Sequence, residues 1–81
     1  MKVQVRLFAA ARQVAGFSTV ELELPAGATV GQLRDRLAGD FPQLSALVRQ
    51  AMFAINAEYV RDSVEIRPGA DVACIPPVSG G

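Results

Sequence analysis

Two short stretches of this chain alternate apolar and polar residues with a period of two, and that pattern limits the fold more than any other feature. Val3, Val5 and Leu7 alternate with Lys2, Gln4 and Arg6; Val20, Leu22 and Leu24 alternate with Glu21 and Glu23. Successive side chains of a strand point to opposite faces, so each stretch reads as a strand with one buried and one polar face. Between them, Ala9 to Ala15 is alanine-rich and is followed by Gly16, which reads as a helical turn closed by a glycine. Only that turn separates the two strands, so they are expected to pair as an antiparallel hairpin. Pro25-Ala26-Gly27-Ala28 then breaks the sheet.

The next segment changes period. Thr29 stands where a helix N-cap is needed and Gln32 where a capping box places its second partner. Loss of such a cap costs about 1 kcal/mol. Val30, Leu33 and Leu37 follow at helical spacing, while Arg34, Asp35 and Arg36 fall off that stripe and read as its outer face. Gly39 suits the C-cap and Phe41 a cover for the helix end. Pro42 to Gln50 reads as a second short helix, with Leu44, Leu47 and Val48 inward. Ala51 to Asn56 is a third strand-like run, Asn56-Ala57-Glu58 a turn, and Tyr59-Val60 a short strand. Pro68-Gly69 fits the centre of a tight turn, and Val72 to Ile75 is the last strand. The fold class is therefore α+β: a mixed sheet of about five strands with helices packed on one face. The last strand is expected centrally, beside the first, because both are apolar and the connection is helical.

Bulk properties narrow the function. Eighty-one residues, 51% of them hydrophobic, make one domain with a real core. The formal net charge is zero and the charges are interspersed, so no basic footprint for nucleic acid is expected. The apolar runs are too short for a membrane span, and the opening Met1-Lys2-Val3-Gln4-Val5 alternates like a strand rather than a signal peptide. A single cysteine, Cys74, has no internal disulfide partner, which points to the cytosol. There is no histidine, so the usual general base and the commonest metal ligand are missing. Neither a P-loop nor a dinucleotide fingerprint is present, and no bound cofactor or metal is expected.

The remaining signal is at the other end. Pro76-Pro77-Val78-Ser79-Gly80-Gly81 follows the last strand directly. Glycine weakens regular structure, yet a Gly-Gly carboxyl terminus suits a carboxylate that must enter another protein's narrow site, because no Cβ blocks the channel. Two prolines hold such a tail extended. At roughly 3.3 Å per residue, Pro76 to Gly81 reaches about 20 Å. A frayed end or a cloning linker would account for Ser-Gly-Gly alone; linkers, however, are usually uniform in Gly and Ser, and Pro-Pro-Val precedes it here. The division expected is a domain over residues 1–75 and an extended, flexible tail over 76–81.

These residues, in this order, resemble the ubiquitin-like β-grasp sulfur carriers, and among them the small subunits of molybdopterin synthases. The specific parts are Val5-Arg6-Leu7-Phe8-Ala9-Ala10-Ala11-Arg12 with Gly16, and Asp71-Val72-Ala73-Cys74-Ile75 running into the tail. The carriers of the thiamine pathway are similar in fold and also end in Gly-Gly. They are typically shorter and lack both the first loop and the Pro-Pro-Val-Ser approach. Cys74 departs from the pattern, at a position that resembles one for a bulky apolar residue.

The resemblance implies a carrier that is not catalytic alone. An ATP-dependent activating enzyme would adenylate the Gly81 carboxyl, and sulfur from a persulfide donor would displace AMP to leave a thiocarboxylate. The tail, through Pro76, Pro77, Val78, Ser79 and Gly80, would thread into a large synthase subunit. There its sulfur would attack a cyclic pyranopterin monophosphate on the way to a dithiolene. Two sulfurs per product require two loaded carriers or two rounds, which fits a heterotetramer. The alternatives are a carrier for thiamine or another thiolation pathway, and a protein modifier joined to lysines through Gly81.

Strand parity for Phe8 and Ile75, and the same resemblance for all three, place Phe8, Tyr59 and Ile75 together on the open face, as anchors for both the activating enzyme and the large subunit; the competing arrangement has Phe8 and Ile75 closing the edge of the core. Cys74 reads as a small core residue rather than a catalytic thiol. Glu21 and Glu23 read as a solvated strand face. Arg61, Asp62 and Arg67 read as loop charges, with polar rim contacts to a partner as the alternative.

Overall fold

In the computed structural model, described over residues 1–77, the two alternating stretches form β1 (Lys2–Leu7) and β2 (Thr19–Glu23). They pair antiparallel, with Val3 opposite Leu22 and Val5 opposite Val20. The short helix α1 (Ala9–Ala15) joins them and ends at Gly16, whose φ of 83° is the left-handed cap that glycine adopts without a steric penalty. Then come α2 (Val30–Asp40), a 3₁₀ turn (Pro42–Leu44), α3 (Ser45–Gln50), β3 (Met52–Ile55), β4 (Glu58–Val60) and β5 (Val72–Ile75). The sheet order is β2-β1-β5-β3-β4, with β5 parallel to β1 and every other pair antiparallel. The last strand does lie centrally beside the first. This is the β-grasp arrangement, with the helices on one face of a mixed five-stranded sheet.

The core lies between that face and α2. Val3, Val5 and Leu7 from β1, Phe53 from β3, and Val72 and Cys74 from β5 meet Val30, Leu33 and Leu37 of α2, with Leu44 and Val48 from the following turns. Among the described residues, no polar or charged one is buried. The absence is physically sensible, since every buried polar group would need its own partner.

The start of α2 shows how the loop before β5 is fastened. Thr29 Oγ1 accepts the Gln32 N–H at 3.3 Å, and Gln32 Oε1 accepts the Thr29 N–H at 2.8 Å, so the expected capping box is present. The next two free donors, at Val30 and Gly31, go to the carbonyls of Val64 and Asp62, each at 2.9 Å. A helix start leaves four unpaired N–H groups, and here a distant loop takes two of them. Glycine at residue 31 eases this contact: a Cβ there would stand 3.3 Å from the Asp62 Cβ and 3.4 Å from its carbonyl oxygen, so the loop would have to give by a few tenths of an ångström.

Three expectations need correction. Gly39 is not the C-cap. The helix runs through Asp40 and stops at Phe41, whose N–H still reaches the Leu37 carbonyl at 3.0 Å. Phe41 precedes Pro42, and the proline ring disfavours a helical conformation in its predecessor. Nor is Pro42 to Gln50 one helix: a 3₁₀ turn comes first, and Leu47 is only half-buried while Leu44 and Val48 are fully buried.

The third correction concerns Arg34, which does not stand on an outer face. Its Nη1 donates to the carbonyls of Val48 and Ala51, both at 2.7 Å, and to that of Arg49 at 3.2 Å. Its Nε and Nη2 donate to the two oxygens of Asp62, and its guanidinium carbon sits 4.9 Å from the centre of the Phe53 ring. One planar fork thus closes the end of α3, holds the 61–64 loop and covers a core aromatic. Asp62 is a loop charge, as expected, and through Arg34 it is part of this scaffold.

Candidate functional site

The face of the sheet away from the helices carries the candidate site. In β1 this face shows Lys2, Gln4 and Arg6, and the chain continues extended through Phe8, so Phe8 falls on the same side. Ala9 then takes a φ of 51°, which is unfavourable for a residue with a Cβ. That sharp turn ends the strand and leaves Phe8 39% exposed.

Registers give the layout. Leu7 aligns with Cys74, so Phe8 lies beside Ile75, and the Phe8 N–H donates to the Cys74 carbonyl at 3.2 Å. Ile75 is in turn opposite Met52. The neighbouring row runs Arg6, Ala73, Ala54 and Tyr59, each aligned with the next. The open face therefore offers an apolar strip of Phe8, Ile75 and Met52, with two small alanines beside it and Tyr59 at the far edge. Phe8 and Tyr59 are three strands apart, about 14 Å at the usual strand spacing, so they do not touch each other. Phe8 and Tyr59 are exposed and Ile75 is half-buried.

Met52 is the residue that sequence reading overlooked. It is 54% exposed and bridges the gap between Ile75 and β4. Parity could have found it, since Met52 and Ala54 alternate with the buried Phe53 within one strand.

The tail leaves from the same corner. Arg6 Nη2 meets Asp71 at 2.7 Å, and the Arg6 guanidinium lies 5.7 Å from the centre of the Phe8 ring. This ties the start of β5 to β1 beside the apolar strip. Pro76 is buried and Pro77 is exposed. Val78, Ser79, Gly80 and Gly81, which carry the expected threading and sulfur-bearing roles, lie outside the described residues.

Cys74 is fully buried. Burial pushes its thiol up to about 11, because a thiolate there would lose its hydration; the positive charge of Arg34 opposes this but does not prevail. Such a thiol is inert, and it fills the inward row with Leu7 and Phe53. Glu21 and Glu23 are exposed. Among the described residues, no group of three His, Cys, Asp or Glu side chains is placed to hold a metal. No helix among them is long and apolar enough to cross a membrane.

The comparisons agree with this geometry. A family model described as the ThiS family matches residues 5–81. The molybdopterin synthase sulfur carrier subunit of Chlamydomonas reinhardtii is 39% identical over 83 residues, covering 100% of both chains. That of Arabidopsis thaliana is 36% identical over 81 residues, covering 100% of this chain and 84% of the relative. Among solved structures, SAMP1 from Haloferax volcanii superposes with a TM-score of 0.86 at 31% identity, covering 100% of both chains.

Proposed function

The chain belongs to the ThiS family, and on that premise we propose that it is the sulfur-carrier small subunit of a molybdopterin synthase. The carrying observation is full-length similarity to proteins of that name, at 39% and 36% identity, in a chain that ends Pro-Pro-Val-Ser-Gly-Gly. In this reading the domain is a handle and the carboxyl terminus is the reagent. A carboxylate is a poor electrophile, so an activating enzyme first joins Gly81 to AMP at the expense of ATP. The outer sulfur of a persulfide donor then displaces AMP to give an acyl disulfide, and a thiol cleaves that S–S bond, leaving Gly81 as a thiocarboxylate and the donor as a disulfide. Gly80 keeps the approach to that carbon thin. ATP belongs to the activating enzyme, and this chain holds no cofactor of its own.

Delivery requires a second surface, and the strip of Phe8, Ile75 and Met52 supplies it. Docked there, the large synthase subunit would receive the tail within the same complex, so insertion becomes effectively intramolecular. The large subunit supplies the acid, base and phosphate-binding groups that act on the cyclic pyranopterin monophosphate. A reduced, buried Cys74 is compatible with work in the cytosol.

The test is an intact-mass measurement after incubation with ATP, a family activating enzyme, a persulfide donor and a thiol reductant. Replacement of one oxygen by sulfur at the carboxyl terminus is expected, and deletion of Gly81 should abolish it. A mass that stays unchanged while a known carrier loads in the same mixture would end this reading.

A further inference from the structure

Of the eight basic side chains in this sequence, all but Lys2 are arginines, and there is no histidine. For a chain whose carboxyl terminus becomes an acyl-adenylate, that choice has a chemical consequence. A guanidinium keeps its charge and does not attack a carbonyl; a lysine ammonium that gives up its proton does. The sole thiol is shut inside the core. The amino group of Met1 is partly buried and donates to the Leu24 carbonyl. Among the described residues this leaves one exposed nitrogen nucleophile, Lys2.

Its position narrows the reaction further. Because β5 runs parallel to β1 with Cys74 beside Leu7, the tail departs at the end of the sheet away from Lys2. Six residue steps of about 3.3 Å separate Lys2 from the level of Ile75, roughly 20 Å. The six residues after Ile75 reach about the same distance only when fully stretched. A copy's own terminus would therefore have to run straight back along the sheet, whereas the tail of a second copy carries no such constraint. Lys2 also borders an open depression of about 290 Å³ with Gln4, Glu21, Arg67 and Gly69.

We propose that Lys2 is the isopeptide acceptor of this protein, the one site at which the activated carboxyl terminus of a second copy is joined to it. The inference rests on the adenylation argued above. In the step itself, the Lys2 amine attacks the Gly81 carbonyl carbon of the adenylate. A carbon–nitrogen bond forms, the bond to the AMP oxygen breaks, AMP leaves, and the amine proton passes to water.

The experiment uses the full-length chain, ATP and a family activating enzyme, with the sulfur donor withheld. Pyrophosphate exchange reports adenylation, and intact mass reports products. A covalent dimer of two chains less one water is expected, stable to thiols, with Lys2 linked to Gly81 in its peptides. Lys2→Arg should lose the dimer while pyrophosphate exchange is unchanged. Exchange without a dimer, a dimer that survives Lys2→Arg, or a link to the Met1 amine would each overturn the proposal and leave the carrier reading standing. No exchange at all would overturn both.

Discussion

Replacing Arg34 tests the scaffold argument most sharply, because the substitution lies on the helix side of the sheet, away from the tail and the apolar strip. In Arg34→Met the carbonyls of Val48 and Ala51, bonded at 2.7 Å, lose a charged donor. A hydrogen bond to a charged group contributes about 1.5–3 kcal/mol, and partial access of water to the end of α3 brings each loss towards about 1 kcal/mol. The contact over Phe53 adds about 1 kcal/mol. The Asp62 pair adds little, since Asp62 is 54% exposed and such pairs contribute at most about 1 kcal/mol. The sum is about 3–4 kcal/mol. At about 0.05–0.15 kcal/mol per residue, a chain of this length has only about 4–12 kcal/mol in total. Each kcal/mol moves the midpoint of a small domain by about 4–8 °C, so thermal unfolding should shift down by about 15 °C or more. Arg34→Lys, which keeps the charge but not the fork, should lose about 2 kcal/mol. Asp62→Asn isolates the ion pair and should lose less than about 1 kcal/mol. Urea or thermal denaturation reads all three. If Arg34→Met proves no worse than Asp62→Asn, the carbonyl bonds contribute nothing and the reasoning fails.

Three further outcomes follow from particular groups. The Cys74 thiol rises from 9.0 unfolded to about 11 folded, so its neutral form stabilises the fold fully below pH 9 and that contribution is lost as pH rises towards 11. The loss is about 3 kcal/mol, and Cys74→Ala should flatten the alkaline limb of a stability-versus-pH curve. Ala57, at φ 70° in the two-residue turn between β3 and β4, is strained in a geometry that favours glycine; Ala57→Gly should raise stability by about 1 kcal/mol in chemical denaturation. Met52→Asp and Phe8→Asp should weaken capture of the large synthase subunit at least about tenfold while leaving the unfolding midpoint of the isolated chain within a few degrees, as both side chains are exposed. Global unfolding of these variants would instead make the strip part of the core edge.

What the sequence disclosed follows from which interactions are local. Alternation in β1 and β2, the Thr29 and Gln32 box, and Gly16 at a left-handed cap are all set within a few residues, and each is present. Arg34 was misread because a helical wheel reports only distance from the apolar stripe. Nothing local announces that the carbonyls of Val48 and Ala51 will arrive 14 and 17 residues later needing a donor. Gly39 was misread for the opposite reason: a glycine near a helix end is a weaker stop signal than the restraint that Pro42 places on Phe41. Parity assigns Phe8 and Ile75 to one face of the sheet, yet parity carries no distance across it, and the grouping of Tyr59 with Phe8 does not follow from it. The strand order, which inserts β5 and β3 between them, makes Met52 rather than Tyr59 the direct neighbour of Ile75.

That strand order also relates the candidate site to the chemistry. Because β5 is central, hydrogen-bonded on both sides and anchored through Asp71 to Arg6 and Asn56, the strand that feeds the tail is firmly held in the sheet. A reagent on an edge strand would be coupled to fraying and to pairing with other chains. On the reading proposed above, a partner docked at Phe8, Ile75 and Met52 would meet Pro77 at a point fixed by the central strand. Loosening that mount should separate docking from delivery. Asp71→Ala removes an ion pair at 2.7 Å without touching the strip. It should leave capture of the large subunit unchanged and slow sulfur transfer within the complex; equal transfer rates would show that the tail finds its channel without help from the strand that carries it.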